Sequence, residues 1–412
     1  MPRLEEISLC AYTKELLDEI YNDDEYRHIL IKSPLSVVYG DYTACLGEVL
    51  SSVAPYSKVA FIATQPFYLQ FAKKLFDLIK GVQSVPLGLV VEDKAVYSIE
   101  DLSKPFALPC DVRAVVTIEP SLSGYASYFA GLRGIAHVCV ATTPDIYGYL
   151  TRFVFCSDGE KLNRFGTNVA RTLIIDNHAA SKEVSEETKL NLASYLPALY
   201  DYRLYLIKAG YSGAKRGYAL IKECVKRVYS KKDITSTDAI ICGLKGEIGN
   251  FLANGEVVDN SAYAQYKMLS KVLGYDSTTA KVVGLERILR LYSLTYDKKL
   301  ETDRAVVNSI TSLCFDLDIS EGDIYRERLE FVSGFNGAKD KVEKTLNKIK
   351  AENLANEKVT NTFLSGSKEK LKIGKPDKTI NELINKTCFF PFGFNITRLV
   401  NGRVGDYNER KH

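Results

Sequence analysis

RAVVTIEPSLSGYASYFAGLRGIAHVCVATTPDIYGY, Arg113 to Tyr149, is the stretch whose reading decides the fold. Arg113–Ile118 is a short β-branched run, Gly124–Leu132 carries apolar residues at helical spacing, and Ala136–Ala141 is a second β-branched run. This is a strand, helix, strand unit, whose right-handed crossover makes parallel pairing and places ligands where the first strand hands over to its helix. A nucleotide-binding handover is glycine-rich, because backbone N–H groups must approach phosphate closely. Here it reads Glu119-Pro120-Ser121. The frame is that of a cofactor site, and its turn chemistry is wrong for one.

Outward from this unit the same alternation holds. On the N-terminal side, strands are expected at Leu35–Gly40, Lys58–Ala63 and Val82–Val91, with helices at Thr43–Ser52, Phe67–Ile79 and from Ser98 to Leu102. An amphipathic first helix is expected over Leu4 to Ile20. On the C-terminal side, Phe153–Cys156 and Thr172–Ile175 are the last strands, joined by a loop holding Asp158-Gly159-Glu160-Lys161. Such alternation argues for a mostly parallel, Rossmann-like sheet covered on both faces.

After about Asn177 the period is helical, with helices expected over Ser185–Lys208, Gly213–Ser230, Thr235–Asn254, Ser261–Leu273, Thr279–Tyr292, Asp303–Phe315 and Glu321–Phe335. The expected organisation is an α/β domain over 1–176, an all-helical domain over 177–358, and a basic linker with an aromatic C-terminal segment over 359–412. Val359–Lys378 reads as a polar loop or linker, and Cys388 to Phe394 as an aromatic patch that docks on the body or on a partner.

The 412 residues, 46% hydrophobic and 25% charged with a net charge of +3, describe an ordinary globular chain, too mildly basic to imply a nucleic-acid or membrane partner. No run approaches the roughly 18 apolar residues of a membrane span. The nine cysteines are scattered singly, which reads as a reducing compartment, and cytoplasm is the expected location. Cys139 reads as a small core residue, and His137 and His178 as hydrogen-bonded structural histidines.

Thr142-Thr143-Pro144-Asp145-Ile146-Tyr147-Gly148-Tyr149, then Asp158-Gly159-Glu160-Lys161, then the Ile174-Ile175-Asp176 strand end, then Asp201-Tyr202-Arg203 form a series of partial motifs in order. With an α/β domain followed by a helical one, the chain resembles the dehydroquinate synthase and iron-containing alcohol dehydrogenase superfamily, and within it the sn-glycerol-1-phosphate dehydrogenases. The resemblance runs from about Val37 to Leu294.

The resemblance assigns positions one by one. The Gly-x-Gly-Thr turn that cradles the cofactor pyrophosphate in that family corresponds to Ile118-Glu119-Pro120-Ser121. Proline deletes an N–H donor, and two like charges about 4 Å apart cost roughly 4 kcal/mol at an effective dielectric near 20. The acidic residue that holds the adenosine ribose corresponds to Gln65, while the strand-end threonine is retained as Thr142. Asp145, Tyr147, Asp158 and Lys161 are the substrate-cleft candidates, Tyr147 standing where the family has an aspartate. The divalent metal, usually zinc, is held in the family by one acidic residue and two histidines; the corresponding positions are Asn191, Ala262 and Thr279. The only histidines are His28, His137, His178 and His412, so no expected helix of the second domain carries one.

The expectation from sequence is therefore a noncatalytic homologue of glycerol-1-phosphate dehydrogenase that acts by binding, as a subunit, scaffold or regulator. It is expected to hold neither cofactor nor metal, and to partner another protein, a second copy of itself or a small phosphorylated ligand. Two alternatives stand beside it. One is an active NAD(P)-dependent polyol-phosphate dehydrogenase with a rebuilt site, using NAD(P) and zinc. The other is a nucleic-acid or anionic-surface binder working through Lys368, Lys370, Lys372, Lys375 and Lys378; it is the less expected, because Glu369 and Asp377 interrupt the run and no arginine joins it.

Overall fold

The computed structural model describes residues 36–94, 96–144, 153–157, 162–179 and 182–196, stretches between 219 and 289, and residues 357–370 with 372. Its centre is a six-stranded, fully parallel sheet built from β1 (Ser36–Gly40), β2 (Lys58–Ala63), β3 (Val85–Val90), β5 (Val112–Thr117), β6 (Ala136–Ala141) and β9 (Thr172–Asp176), in the order β1-β9-β6-β5-β2-β3. Helices α1 (Tyr42–Val53) and α2 (Gln65–Gly81) pack on one face, and α4 (Ser123–Arg133) on the other.

The two faces are written in the alternation of β2. Val59, Phe61 and Ala63 join Leu46, Leu50, Leu75 and Ile79 in one core, while Ala60 and Ile62 join Tyr125 and Phe129 in the other. In β5 the pairing shifts register opposite Lys58 and Val59, and Arg113 is the extra residue. That shift sends Val112 to the α4 side while Ala114 and Val116 face α1 and α2. Gly88 in β3 leaves room for Tyr68, since a Cβ there would lie 2.2 Å from the Tyr68 hydroxyl; the Tyr68 ring stacks on Phe61 at 5.7 Å.

Local chemistry sets the helix ends. Asp41 caps α1, accepting from the N–H groups of Thr43 at 2.9 Å and Ala44 at 3.2 Å. Gly134 ends α4 in the left-handed region at φ 64°, where a side chain would be strained. The short α3 (Ile99–Ser103) opens on a capping box between Ser98 and Asp101.

A second, three-stranded sheet joins β4 (Tyr97–Ser98), β7 (Phe153–Ser157) and β8 (Leu162–Gly166), with β7 and β8 antiparallel. β8 corrects the expectation of an unbroken loop between Cys156 and Thr172. LNRFG has little β-branched character, and its pairing with β7 supplies what its propensity does not.

Among the described residues no strand follows β9. The elements there are α5 (Glu186–Ala193), helical residues between 219 and 289, and α6 (Glu357–Lys370). α6 corrects the expected loop over Val359–Lys378 as far as Lys370. It docks by burying Leu364 and Ser367, and its lysines reach acidic partners: Lys370 Nζ lies 2.6 Å from Glu186 Oε1, and Lys368 pairs with Glu286. No described helix is long and apolar enough to cross a membrane. The expected first helix over Leu4 to Ile20, Asp201-Tyr202-Arg203 and the aromatic patch Cys388 to Phe394 lie outside the described residues.

Candidate functional site: the switch point of the parallel sheet

The chain makes β2, crosses on the α2 side to β3, then returns to the opposite edge of β2 with β5 and crosses on the α4 side to β6. The winding therefore reverses between β2 and β5, and in open α/β sheets the ligand crevice lies beyond the carboxyl ends of the two strands where this happens. Thr64 follows β2 and Ile118-Glu119 follows β5, so those residues form the crevice lips.

Glu119 spans it. Its Oε2 accepts from the Thr64 N–H at 2.7 Å and its Oε1 from the Thr64 hydroxyl at 2.7 Å. Thr64 is the N-cap of α2, and its own side chain caps nothing, so the acceptor at the start of α2 comes from a strand end 55 residues away. The Glu119 residue is only 6% exposed. Burial pushes its carboxyl above the usual range, and the two bonds from Thr64 offset this only in part; the neighbouring charge it feels is another carboxylate, Asp93.

The other sequence-predicted positions separate. Gln65 is exposed at the first turn of α2, beside the Glu119 contact. Pro120 opens a single 3₁₀ turn, Pro120–Leu122, and Ser121 is exposed on it. Thr142 follows β6 with a 2% exposed side chain whose Oγ1 has no hydrogen-bond partner among the described residues, while its carbonyl accepts from Lys182 Nζ at 2.7 Å. Asp145, Tyr147, Asp158, Lys161 and Ala262 lie outside the described residues.

His137 is the structural residue its sequence context indicates. It is 3% exposed in β6, with Nε2 at 2.8 Å from the Thr117 hydroxyl and Nδ1 at 2.8 Å from that of Ser127. Burial lowers its pKa to about 3, so the ring is neutral and both nitrogens are spent. His178 is exposed, 3.8 Å from Asp41. Cys139 is fully buried in β6.

Three participants at this end of the sheet escape sequence reasoning. Thr64 and Lys182 act on residues 55 and 40 positions away. Ser123 is fully buried, and its Oγ has no partner among the described residues. The only sequence signal for Thr64 is its place between a strand and an N1/N2 proline, which marks a helix start without naming its acceptor.

No known protein-family model and no curated protein matches the sequence. Solved structures do match the fold. Glycerol dehydrogenase from Schizosaccharomyces pombe aligns at 12% identity over 92% of this chain and 91% of its own, with a TM-score of 0.54. The chain shares its fold with that protein. Maleylacetate reductase from Rhizobium sp. strain MTP-10005 aligns at 10% identity, covering 90% of this chain and 96% of its own, and sulfoacetaldehyde reductase from Bifidobacterium kashiwanohense, solved with NAD+, at 10%, covering 92% and 98%; both have a TM-score of 0.54. The dehydroquinate synthase-like architecture read from the sequence is thus the architecture of the molecule.

The fit of a metal and a dinucleotide is decided by donor chemistry. At the positions matched to metal ligands, Asn191 on α5 is 7% exposed with an Oδ1 that has no partner among the described residues, and Thr279 is helical. An amide and a hydroxyl do not supply the carboxylate and imidazole donors a zinc site uses. Among the described residues no three His, Cys, Asp or Glu side chains gather as a metal site. At the turn matched to the pyrophosphate cradle, Pro120 offers no N–H and the Glu119 carboxylate is bonded to Thr64. Among the described residues at these matched positions, the groups on offer are an amide, a hydroxyl and a carboxylate, which do not fit either group.

Proposed function

We propose that this chain is a noncatalytic member of the dehydrogenase fold, of sn-glycerol-1-phosphate dehydrogenase descent, that works by binding a protein partner or a second copy of itself. The observation that carries the reading is the donor set. Asn191, Ala262 and Thr279 stand where an acid and two histidines would hold the Lewis acid, and a neutral amide oxygen cannot take over the charge neutralisation that polarising an alcohol oxygen requires. The Glu119 contact with Thr64 supports the same conclusion for the dinucleotide. In this reading residues 1–176 and 177–358 remain two domains, and α6 belongs with the helical one through its pairs with Glu186 and Glu286.

Those pairs count against the nucleic-acid reading, because Lys368 and Lys370 are engaged inside the chain rather than offered to phosphates. The test is direct. The purified full-length protein is assayed for bound zinc, iron and nickel and titrated with NADH and NADPH by fluorescence. The expected result is substoichiometric metal and no saturation at micromolar dinucleotide. Stoichiometric metal or micromolar dinucleotide binding would overturn the noncatalytic reading in favour of an active NAD(P)-dependent polyol-phosphate dehydrogenase.

A further inference from the structure

We propose that Glu119 is a built-in latch on the switch-point crevice: the chain's own carboxylate closes the gap between the ends of β2 and β5, excludes phosphate-bearing ligands there, and leaves the crevice to neutral or cationic polar groups. This deepens the noncatalytic reading and rests on it.

The geometry is specific. Both oxygens of Glu119 are committed to a single residue on the opposite lip, one to the Thr64 N–H and one to its hydroxyl, each at 2.7 Å. That pair of donors stands at the first turn of a helix of 17 residues, where an external anion would otherwise be drawn by free N–H groups and the helix dipole. The carboxylate is buried and meets no lysine or arginine among the described residues; the charge it feels is that of Asp93. A glutamine of the same shape would make both contacts without burying a charge, its Oε1 accepting from the N–H and its Nε2 donating to the hydroxyl. What the acid adds over the amide is repulsion of a second anion.

A second observation points to a ligand at the same end of the sheet. The hydroxyls of Ser123, after β5, and Thr142, after β6, are buried without a hydrogen-bond partner among the described residues. Buried hydroxyls in a native protein are ordinarily satisfied, here by water or by a ligand's polar atoms. Neutral hydroxyls at the same end of the sheet as the Glu119 carboxylate suit a hydroxyl- or amine-bearing molecule and disfavour a phosphate.

The experiment uses inorganic pyrophosphate as probe and the full-length chain as wild type, Glu119→Gln and Glu119→Ala, with binding read by calorimetry. Wild type is expected to show no saturation in the low millimolar range. Both variants are expected to bind at least tenfold more tightly, the alanine variant most, because it removes the strap as well as the charge. Glu119→Gln retains both contacts with Thr64 and so keeps the test valid if the alanine variant fails to fold. No gain in any folded variant, or wild-type binding as tight as that of the variants, overturns the latch. Failure of the latch is distinguishable from failure of the proposed function: micromolar NADH binding by wild type sinks the latter, whereas absent gain in the variants sinks the latch alone.

Discussion

Two buried carboxylates in the α/β domain have opposite surroundings. Asp101, at the start of α3, is met by Lys94 Nζ at 2.8 Å and Lys104 Nζ at 2.7 Å, accepts from the Ser98 N–H at 3.2 Å, and its own N–H donates to the Ser98 hydroxyl at 3.0 Å. Burial works against its charge, but the two lysines and the cap override that and hold its carboxyl far below the usual range. Glu119 has Thr64 alone, and burial wins. The contrast separates two uses of a buried acid: one is a structural knot with its charge neutralised on the spot, the other an unneutralised charge held across a crevice. Sequence position predicts neither outcome, since both acids stand near the start of a helical turn.

Substitutions can break this comparison in graded steps. Asp101→Ala should have the largest effect, about 2–3 kcal/mol of lost stability in urea unfolding, because it removes the capping box and strips the acid from two lysines at once. A loss below about 1 kcal/mol would place Asp101 with ordinary surface pairs. Glu119→Ala should cost less, about 1–2 kcal/mol, since it leaves the Thr64 N–H and hydroxyl without their acceptor but also relieves a buried charge. Glu119→Gln should be neutral or stabilising by up to about 1 kcal/mol, and a clear loss on this change would mean that the charge itself is stabilising.

The two acids also carry opposite pH signs. Asp101 has a lowered folded pKa, so its contribution is present above the unfolded value near 3.8 and is lost as pH falls through the lower folded value. Glu119 has a raised folded pKa, so the folded chain holds its proton more tightly in the window above 4.5, and this group's contribution declines as pH rises through that window. Unfolding midpoints of wild type and Glu119→Gln should therefore diverge in favour of the variant from pH 4.5 upward. Parallel curves would contradict the assignment. The smallest effect is expected at Lys370, whose side chain is 60% exposed: Lys370→Ala should cost less than about 1 kcal/mol, and the difference should shrink in high salt.

Much of the α/β domain is legible in the amino-acid sequence alone. Lys58–Ala63 and Ala136–Ala141 are strands with the bounds their β-branched runs indicate, and Val112–Thr117 and Ser123–Arg133 lie within a residue of the expected strand and helix. β8 and α6 are not legible in the same way. LNRFG becomes a strand because β7 offers it a ladder, and EKVTNTFLSGSKEK becomes a docked helix by burying Leu364 and Ser367, with its lysines meeting Glu186 and Glu286. The site divides along the same line. Glu119-Pro120 after a strand is visible as a turn without glycine, and the four histidines are visible by inspection. What Glu119 does instead is invisible, because its partner is 55 residues away.

The amino-acid sequence by itself determined the alternation of strand and helix, the buried character of both sheet faces, and which side-chain types stand at Glu119, Pro120, Asn191 and Thr279. These follow from covalent neighbours: periodicity is set by residues a few places apart, and donor types are set by side-chain identity. Only the tertiary structure decided that Glu119 strides the crevice to Thr64. That contact exists because the chain returns from β3 past β2 and pairs β5 with the opposite edge of β2, and strand order, which brings distant loop ends within 2.7 Å, is a property of the whole sheet rather than of any local run.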